Sequence, residues 1–326
     1  TEDAFSRIKK QTVEGFKIAK TQPATVASAV FAKVNYGDKH ILGVAEDGDE
    51  ETVKNFTLKD VQYYYDNYMT SQGVNVVVVG DIKEDEILPK LSFLKNLPNK
   101  KIEIPAIPAV KPVDMTKVYM VDVKNAAQTE FRVGYNTGLK FDATGEFYRT
   151  RLINYALGGG FNGRLNINLR EDKGWTYGAR SAFTADKYSG EFEFSSGIKA
   201  GATDSALKEV MKELKDYATS GITQDEITFM KNSLGQRDAL SYETGFQKAG
   251  FIGQILQYDL PADYVEQQNK ILAKMTKEEI DALAKKWIDT SKMNILLVGD
   301  KSKTEDGVKK LGYPIVELDA DGKPKV

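Results

Sequence analysis

An internal repeat constrains the fold of this chain more than any other feature of its sequence. Residues 57–80 read TLKDVQYYYDNYMTSQGVNVVVVG and residues 276–299 read TKEEIDALAKKWIDTSKMNILLVG, and the two align without a gap at an offset of 219 residues. Each begins with a threonine followed three residues later by an acid, as in a capped helix, and each ends in an apolar run closed by Gly-Asp. Long-period self-similarity is typical of duplicated structural units. The sequence therefore predicts two copies of one domain.

The size of the repeat indicates that the two copies differ in completeness. A weaker match at offset 222, with Thr1-Glu2-Asp3 against Thr223-Gln224-Asp225, makes one unit about 220 residues long, so 326 residues hold one and a half units. The Pro-rich stretch 104–112 is the natural linker. We predict the C-terminal half of a first domain over 1–107, a linker over 108–113 and a complete domain over 114–326. The chain then resembles the C-terminal part of a longer protein.

A truncated first unit has a physical consequence. It leaves an uncovered apolar helix face and an unpaired strand near Val74 to Val79, and such edges pair with other chains. Self-association into a homo-oligomer is therefore expected.

The order of strands and helices in the complete unit predicts its fold class. Strands are expected near 118–123, around Phe131 to Tyr135, and near 176–184 and 190–197, with helices at about 144–157 and 163–171 and a run of helices after residue 200. Phe131, Val133 and Tyr135 alternate with polar residues, which predicts a half-buried strand. This order favours an α+β fold: tandem repeats of an antiparallel-rich sheet covered by helices, with the first repeat truncated.

Composition excludes several classes of function. Lys+Arg 45 against Asp+Glu 47 leaves no basic surplus for a nucleic-acid backbone, and the longest apolar run is far below the roughly 20 residues of a membrane span. The chain has no cysteine and one histidine, His40, in a polar loop. Zinc needs three or four protein ligands of this kind, so no metal site is expected in this chain. Glu14, on the first predicted helix, is interpreted as a solvated side chain.

The glycine cluster of residues 158–163 fits the pattern G-x-G-x-x-G. A dinucleotide fingerprint requires a strand before it, whereas Phe147 to Leu157 has helical periodicity. A helix C-terminus followed by a turn, or a loop that lets an extended peptide approach closely, remain as interpretations. Tyr63, Tyr64, Tyr65 and Tyr68 recur at helical spacing and are predicted to be core residues.

Arg170 and Tyr177 form a candidate pair on spacing and chemistry. Arg170 is expected near the end of a short helix and Tyr177 at the start of the next strand, seven positions later. A guanidinium and a phenol that point into one cleft stabilise an oxyanion. Both residue types are common, and a structural role is the usual one for such a spacing.

The ordered motifs around these residues resemble a known peptidase family. Asn154 to Gly160 (NYALGGG), Arg164-Leu165, Leu169-Arg170-Glu171 and Gly174-Trp175-Thr176-Tyr177 are similar to the C-terminal half of the M16 inverted-zincin peptidases, which include pitrilysin, insulin-degrading enzyme and mitochondrial processing peptidase. Residues Tyr36-Gly37 through Gly80-Asp81 are similar to the end of that family's other domains. The resemblance covers nearly the whole chain.

The resemblance implies a function shared between two halves. One half carries H-x-x-E-H and binds zinc; the other supplies an Arg and a Tyr that reach the substrate, which here are Arg170 and Tyr177. Asn154, Gly158, Gly159, Gly160 and Phe161 fall where the family binds peptide. This chain lacks H-x-x-E-H, and Glu14 falls near the third ligand position without its partners. We therefore expect the substrate-binding half of a zinc-dependent endopeptidase acting on peptides or unfolded segments.

The same resemblance implies the partners and leaves one alternative. The chain itself carries no cofactor and is inactive alone, and its expected partners are a peptide substrate and a zinc-bearing N-terminal half or subunit. The bacterial periplasm or cell envelope is the expected compartment. The alternative is a non-catalytic peptide-binding or scaffold subunit of the same family.

Overall fold

The computed structural model describes residues 1–237 and 241–325; residues 238–240 and 326 of the predicted second domain lie outside it. The first segment is helical: α1 Glu2–Ala19, α2 Pro23–Tyr36, α3 Glu50–Asn55, α4 Leu58–Tyr68 and α5 Glu84–Lys90. Residues 98–116, which include the predicted linker 108–113, contain no helix or strand. The division into domains stays a prediction.

The second segment contains the strands and the remaining helices. In chain order they are β1 Lys117–Asp122, β2 Gln128–Asn136, α6 Glu146–Asn154, α7 Arg164–Asn166, β3 Thr176–Ala185, β4 Gly190–Lys199, α8 Thr203–Ser220, α9 Gln224–Arg237, α10 Gly245–Tyr258, α11 Tyr264–Lys274, α12 Lys277–Trp287, β5 Asn294–Gly299, α13 Lys301–Lys309 and β6 Ile315–Leu318. Among the described residues, no helix has the length and apolar content that crossing a membrane requires.

The strands form one mixed sheet in the order β3-β4-β2-β5-β1-β6. The pairs of β2 with β4, β2 with β5 and β3 with β4 are antiparallel, whereas β1 runs parallel to β5 and β6. Helices α6, α8 and α12 cover one face around a core that includes Phe131, Phe192 and Leu214. The predicted α+β class, an antiparallel-rich sheet covered by helices, is confirmed. β3 lies at one edge of the sheet, where the candidate site is found.

Helix α2 of the first segment covers the other face of the sheet. Val30 and Phe31 of α2 pack with Leu296 and Val298 of β5, whose neighbours Ile295 and Leu297 point into the main core. Arg132 of β2 is buried and donates a hydrogen bond to Phe131 O at 2.8 Å. The prediction that β2 is half-buried is therefore wrong. Alternation in the sequence of β2 does not reveal that a helix of the first segment packs on its second face.

The prediction that the tyrosines of the first segment belong to a core is also wrong. Helix α4 begins at the predicted capping box, in which Thr57 N donates to Asp60 Oδ2 at 2.7 Å. Its four tyrosines are nevertheless between 46% and 63% exposed. The counterpart of Tyr65 at offset 219 is Ala284 of α12, which is fully buried. Val61, on the same helix as the tyrosines, is 50% exposed, whereas its counterpart Ile280 is fully buried. The helical face is as the periodicity predicts, but nothing in the described residues covers it.

The apolar run after α4, residues 74–79, is also exposed. Residues 74–79 belong to no strand in the described part of the chain, and Val74, Val76 and Val78 are about half exposed. The counterpart of this run is β5, which is buried along its whole length between β1 and β2. Residues 74–79 therefore have a sequence that favours a β-strand, but no described strand pairs with them.

We expect the 326-residue chain to self-associate through this run, and Val78→Asp to weaken that association. A charge on an exposed edge opposes strand pairing, while the unfolding free energy should change by less than about 0.5 kcal/mol because Val78 is 45% exposed. Sedimentation over a wide concentration range measures the effect. Asn75→Asp adds the same charge without removing an apolar side chain and should act more weakly. A wild-type chain that remains monomeric throughout would contradict the expectation.

Candidate functional site

The glycine turn, residues 158–163, connects two helices beside the edge strand. Helix α6 continues through a π-helical turn at Tyr155–Gly159, and Gly160 N donates to Tyr155 O at 3.0 Å before α7 begins at Arg164. A helix precedes the glycines, as the sequence predicts, so the geometry of a dinucleotide site is absent here. The glycines end a helix, as one remaining interpretation has it, and Gly159 and Gly160 reach the surface. The approach of an extended peptide to this loop stays a prediction.

Gly158 packs so closely against β3 that no side chain fits. A Cβ atom there would lie 2.4 Å from Ser181 Oγ and 2.8 Å from Ser181 N. Gly163 would likewise place a Cβ atom 3.0 Å from Gly158 Cα. The turn is therefore compact and seated directly on the edge strand, because its glycines permit close backbone approach.

Gly158→Ala is expected to lower the free energy of unfolding by about 2–3 kcal/mol, because the new methyl group meets both the side chain and the backbone nitrogen of Ser181 in β3. Chemical denaturation measures the loss. Gly178→Ala in β3 is the matched control, since nothing lies within 4 Å of its added Cβ atom. Equal stability of the Gly158→Ala and wild-type proteins would show that the turn is not held against β3.

Asn154 lies beneath the glycine turn rather than on its surface. The side chain is 4% exposed. Its Nδ2 donates to Ser181 O at 2.7 Å and its Oδ1 accepts from Ser181 Oγ at 2.6 Å. Both ends of the amide are thus occupied, and the residue joins α6 to β3. Contact between Asn154 and a substrate stays a prediction. Gly158 is buried as well, and it packs against Ser181 of β3.

Phe161 and Arg170 are brought together at the surface. The Phe161 ring is 68% exposed, and the Arg170 guanidinium carbon lies 4.7 Å from its centroid, which is the geometry of a cation–π contact. Arg170 Nη1 lies 3.2 Å from Glu171 Oε1 without hydrogen-bond alignment, and no described residue accepts a hydrogen bond from it. This nitrogen is therefore buried and ion-paired with Glu171, while the Arg170 side chain as a whole is 35% exposed.

Tyr177 stands at the start of β3, where the chain returns from Arg170. Gly174 N donates to Arg170 O at 3.1 Å, Gly174 adopts a φ of +61°, and Trp175 N donates to Leu169 O at 2.9 Å. The ladder with β4 is irregular between Thr176 and Ala179, so Tyr177 lies in a bulge. Its side chain is 92% exposed, and none of the described residues hydrogen-bonds its hydroxyl. Bulges re-aim side chains in this way beside functional sites.

Arg164 anchors the end of the glycine turn, a role that sequence reasoning did not find. Its Nε and Nη2 each lie 2.6 Å from an oxygen of Glu226, and Nη2 also donates to Gly221 O at 2.9 Å. Burial alone would raise the pKa of Glu226, but the hydrogen bonds from Arg164 and Thr223 and the positive charge of Arg164 together outweigh it and lower that pKa. Glu226 also accepts from Thr223 N at 2.8 Å and thereby caps the start of α9.

The candidate metal ligands have other partners. His40 Nδ1 accepts from Leu42 N at 3.1 Å, and its Nε2 lies 2.9 Å from Pro108 O. Glu14 forms an exposed ion pair with Lys17 at 2.9 Å. Within residues 1–237 and 241–325, no group of three or more acidic, histidine or cysteine side chains is placed to hold a metal ion. That this chain holds no zinc stays a prediction.

Comparison with known proteins decides the family. A family model described as the peptidase M16 inactive domain matches residues 55–234, which is more than half of the chain. The chain belongs to the peptidase M16 family. The matched range begins just before α4 and includes the glycine turn, Arg170 and Tyr177. The family resemblance inferred from the motifs is thereby confirmed.

Relatives within the peptidase M16 family agree with the match. The chain is 22% identical to the "non-peptidase homolog YmxG" of Helicobacter pylori, with 93% of this chain and 69% of that protein covered. It is 25% identical to the "uncharacterized zinc protease YmxG" of Bacillus subtilis, with 74% and 58% covered. The crystal structure of a peptidase M16 inactive domain from Pseudomonas fluorescens is 25% identical, with a TM-score of 0.80 over 92% of this chain and 71% of that one. The chain thus spans between about three fifths and two thirds of these curated relatives.

Proposed function

We propose that this chain is the substrate-binding, non-metal half of a zinc-dependent endopeptidase that acts on peptides or unfolded segments. Two observations support the proposal: the contact between Phe161 and Arg170, and the exposure of Tyr177 at the start of β3. We propose that the three residues form one surface, the Phe161–Arg170–Tyr177 surface. It combines an exposed aromatic ring, a guanidinium on a side chain that is 35% exposed and an exposed phenol. Such groups bind the carbonyl oxygens and apolar side chains of an extended peptide.

Each residue of this surface has a distinct part in the proposal. Arg170 donates to a backbone carbonyl of the peptide and fixes its position, since a planar guanidinium restricts the geometry of its acceptor. Tyr177 donates a hydrogen bond to the oxygen that becomes negatively charged in the tetrahedral intermediate. Phe161 supports the Arg170 side chain and offers an apolar face to the peptide. Zinc, bound in a separate half, would supply the activated water.

Reconstitution tests this function. The chain alone should cleave no unstructured peptide and should hold no stoichiometric zinc in elemental analysis. Mixed with the zinc-bearing half at equal concentration, it should restore hydrolysis of a quenched-fluorescence peptide, and a chelator should abolish that activity. Zinc at one per chain in the isolated protein would overturn the proposal for this half.

The name of the Helicobacter pylori relative, a non-peptidase homolog, favours a second candidate function. In that case the chain is a non-catalytic peptide-binding or scaffold subunit. It would then bind the zinc-bearing half, or an unfolded peptide, without any hydrolysis in the mixture. Binding without cleavage would therefore select the scaffold function over the peptidase function.

A further inference from the structure

Asn166 connects the glycine turn to the edge strand through both ends of its amide. The residue ends α7 and is 4% exposed. Its Nδ2 donates to Phe161 O at 2.8 Å, and its Oδ1 accepts from Ala179 N at 3.0 Å. One buried side chain therefore links the residue that stacks on Arg170 to the strand that carries Tyr177.

The position of Ala179 gives this link its significance. The ladder between β3 and β4 is irregular from Thr176 to Ala179, and Tyr177 lies within that irregular stretch. Ala179 N, at the end of the bulge, is bonded to Asn166 rather than to another strand. Two residues further on, Asn154 Nδ2 donates a hydrogen bond to Ser181 O. Side-chain amides thus take the place of a neighbouring strand along this part of the sheet edge.

We infer that Asn166 is a positioning residue that couples Phe161 to Tyr177 and sets the geometry of the Phe161–Arg170–Tyr177 surface; this inference rests on the proposed function. A carboxamide offers a donor and an acceptor at once, and the two bonds here need both. Aspartate keeps the acceptor for Ala179 N and places an oxygen against Phe161 O. Asn166→Asp therefore releases the turn and leaves the bulge attached, whereas Asn166→Ala releases both.

Amide hydrogen exchange tests the coupling independently of catalysis. Asn166→Ala should speed exchange of the Ala179 amide about tenfold or more, because its acceptor is lost. Asn166→Asp should leave that amide protected. Asn162→Ala and Asn162→Asp are matched controls, since Asn162 is exposed in the same turn, and they should change nothing at Ala179. Unchanged exchange in Asn166→Ala would overturn the inference.

A double-mutant cycle in the reconstituted peptidase tests the functional part. If Asn166 positions Tyr177, Tyr177→Phe should lower kcat about 10²–10³-fold in the wild-type background but less than about tenfold in the Asn166→Ala background. Equal factors in both backgrounds would overturn the positioning role and leave the proposed function standing. Absence of any Tyr177→Phe effect in the wild-type background would overturn both. Asn166→Asp, which retains the Ala179 contact, should preserve more of the Tyr177 contribution than Asn166→Ala.

Discussion

Tyr177→Phe is expected to reduce kcat of the reconstituted peptidase about 10²–10³-fold, with a smaller effect on KM. The substitution removes one hydroxyl from a side chain that is 92% exposed, so the fold should be unaffected. The lost hydrogen bond strengthens as negative charge develops on the substrate oxygen, and a group of that kind contributes mainly to kcat. Steady-state kinetics with a quenched-fluorescence peptide measures both constants.

Two further variants give this experiment its controls. Tyr188→Phe removes the same hydroxyl from an exposed tyrosine in the turn between β3 and β4 and should leave the rate unchanged. Arg170→Lys keeps the charge but loses the planar guanidinium and should impair both kcat and KM. A rate within twofold of the wild type for Tyr177→Phe would show that the Tyr177 hydroxyl has no part in catalysis and would favour the scaffold function.

Arg164→Met is expected to lower the free energy of unfolding by about 2–3 kcal/mol. It removes both hydrogen bonds to Glu226 and the cation–π contact with Tyr217, whose ring centroid lies 4.9 Å from the guanidinium carbon. Breaking one side of a fully buried ion pair costs about 3–5 kcal/mol, and this pair retains 21% and 25% side-chain exposure, so the loss is smaller. Urea denaturation at neutral pH measures it.

The pH dependence of this loss follows from the pKa of Glu226. That pKa is lowered in the folded protein below its ordinary value of 4.5, so the pair stabilises the fold above that pH. The difference between wild type and Arg164→Met should therefore shrink as the pH falls through the folded-state pKa. Lys212→Met, which removes an exposed ion pair with Asp216, should lower the free energy of unfolding much less than Arg164→Met does. A similar loss in both variants would contradict the anchoring role of Arg164.

Local sequence patterns were sufficient to predict most elements of the fold. The capping boxes at Thr57 and Thr276 start α4 and α12, because a side-chain oxygen and an acid three residues later satisfy backbone donors within one helical turn. The helical periodicity before the glycine turn also argued against a nucleotide site, because a dinucleotide-binding motif needs a strand at that position. Arg170 and Tyr177, by contrast, came from the family motifs, since their spacing alone is uninformative.

Contacts between distant segments could not be predicted from such patterns. The packing of α2 on β2 and β5 joins residues more than 90 positions apart, and it buries Arg132 on a strand face that alternation assigns to solvent. The exposed face of α4 has the periodicity of a buried helix, because periodicity marks an apolar face without supplying what covers it. Asn154 and Asn166 carry no pattern that distinguishes an amide capping a strand edge from one that contacts a ligand.

Hydrogen exchange of the isolated chain, with and without a saturating unstructured peptide, tests the central claim most directly. The claim is that extended peptide binds at the Phe161–Arg170–Tyr177 surface. Amides of residues 158–163 and 174–180 should become protected when peptide is added, and Phe161→Ala should remove that protection. Protection confined to the exposed run 74–79 and helix α4, with none around the glycine turn, would contradict the claim.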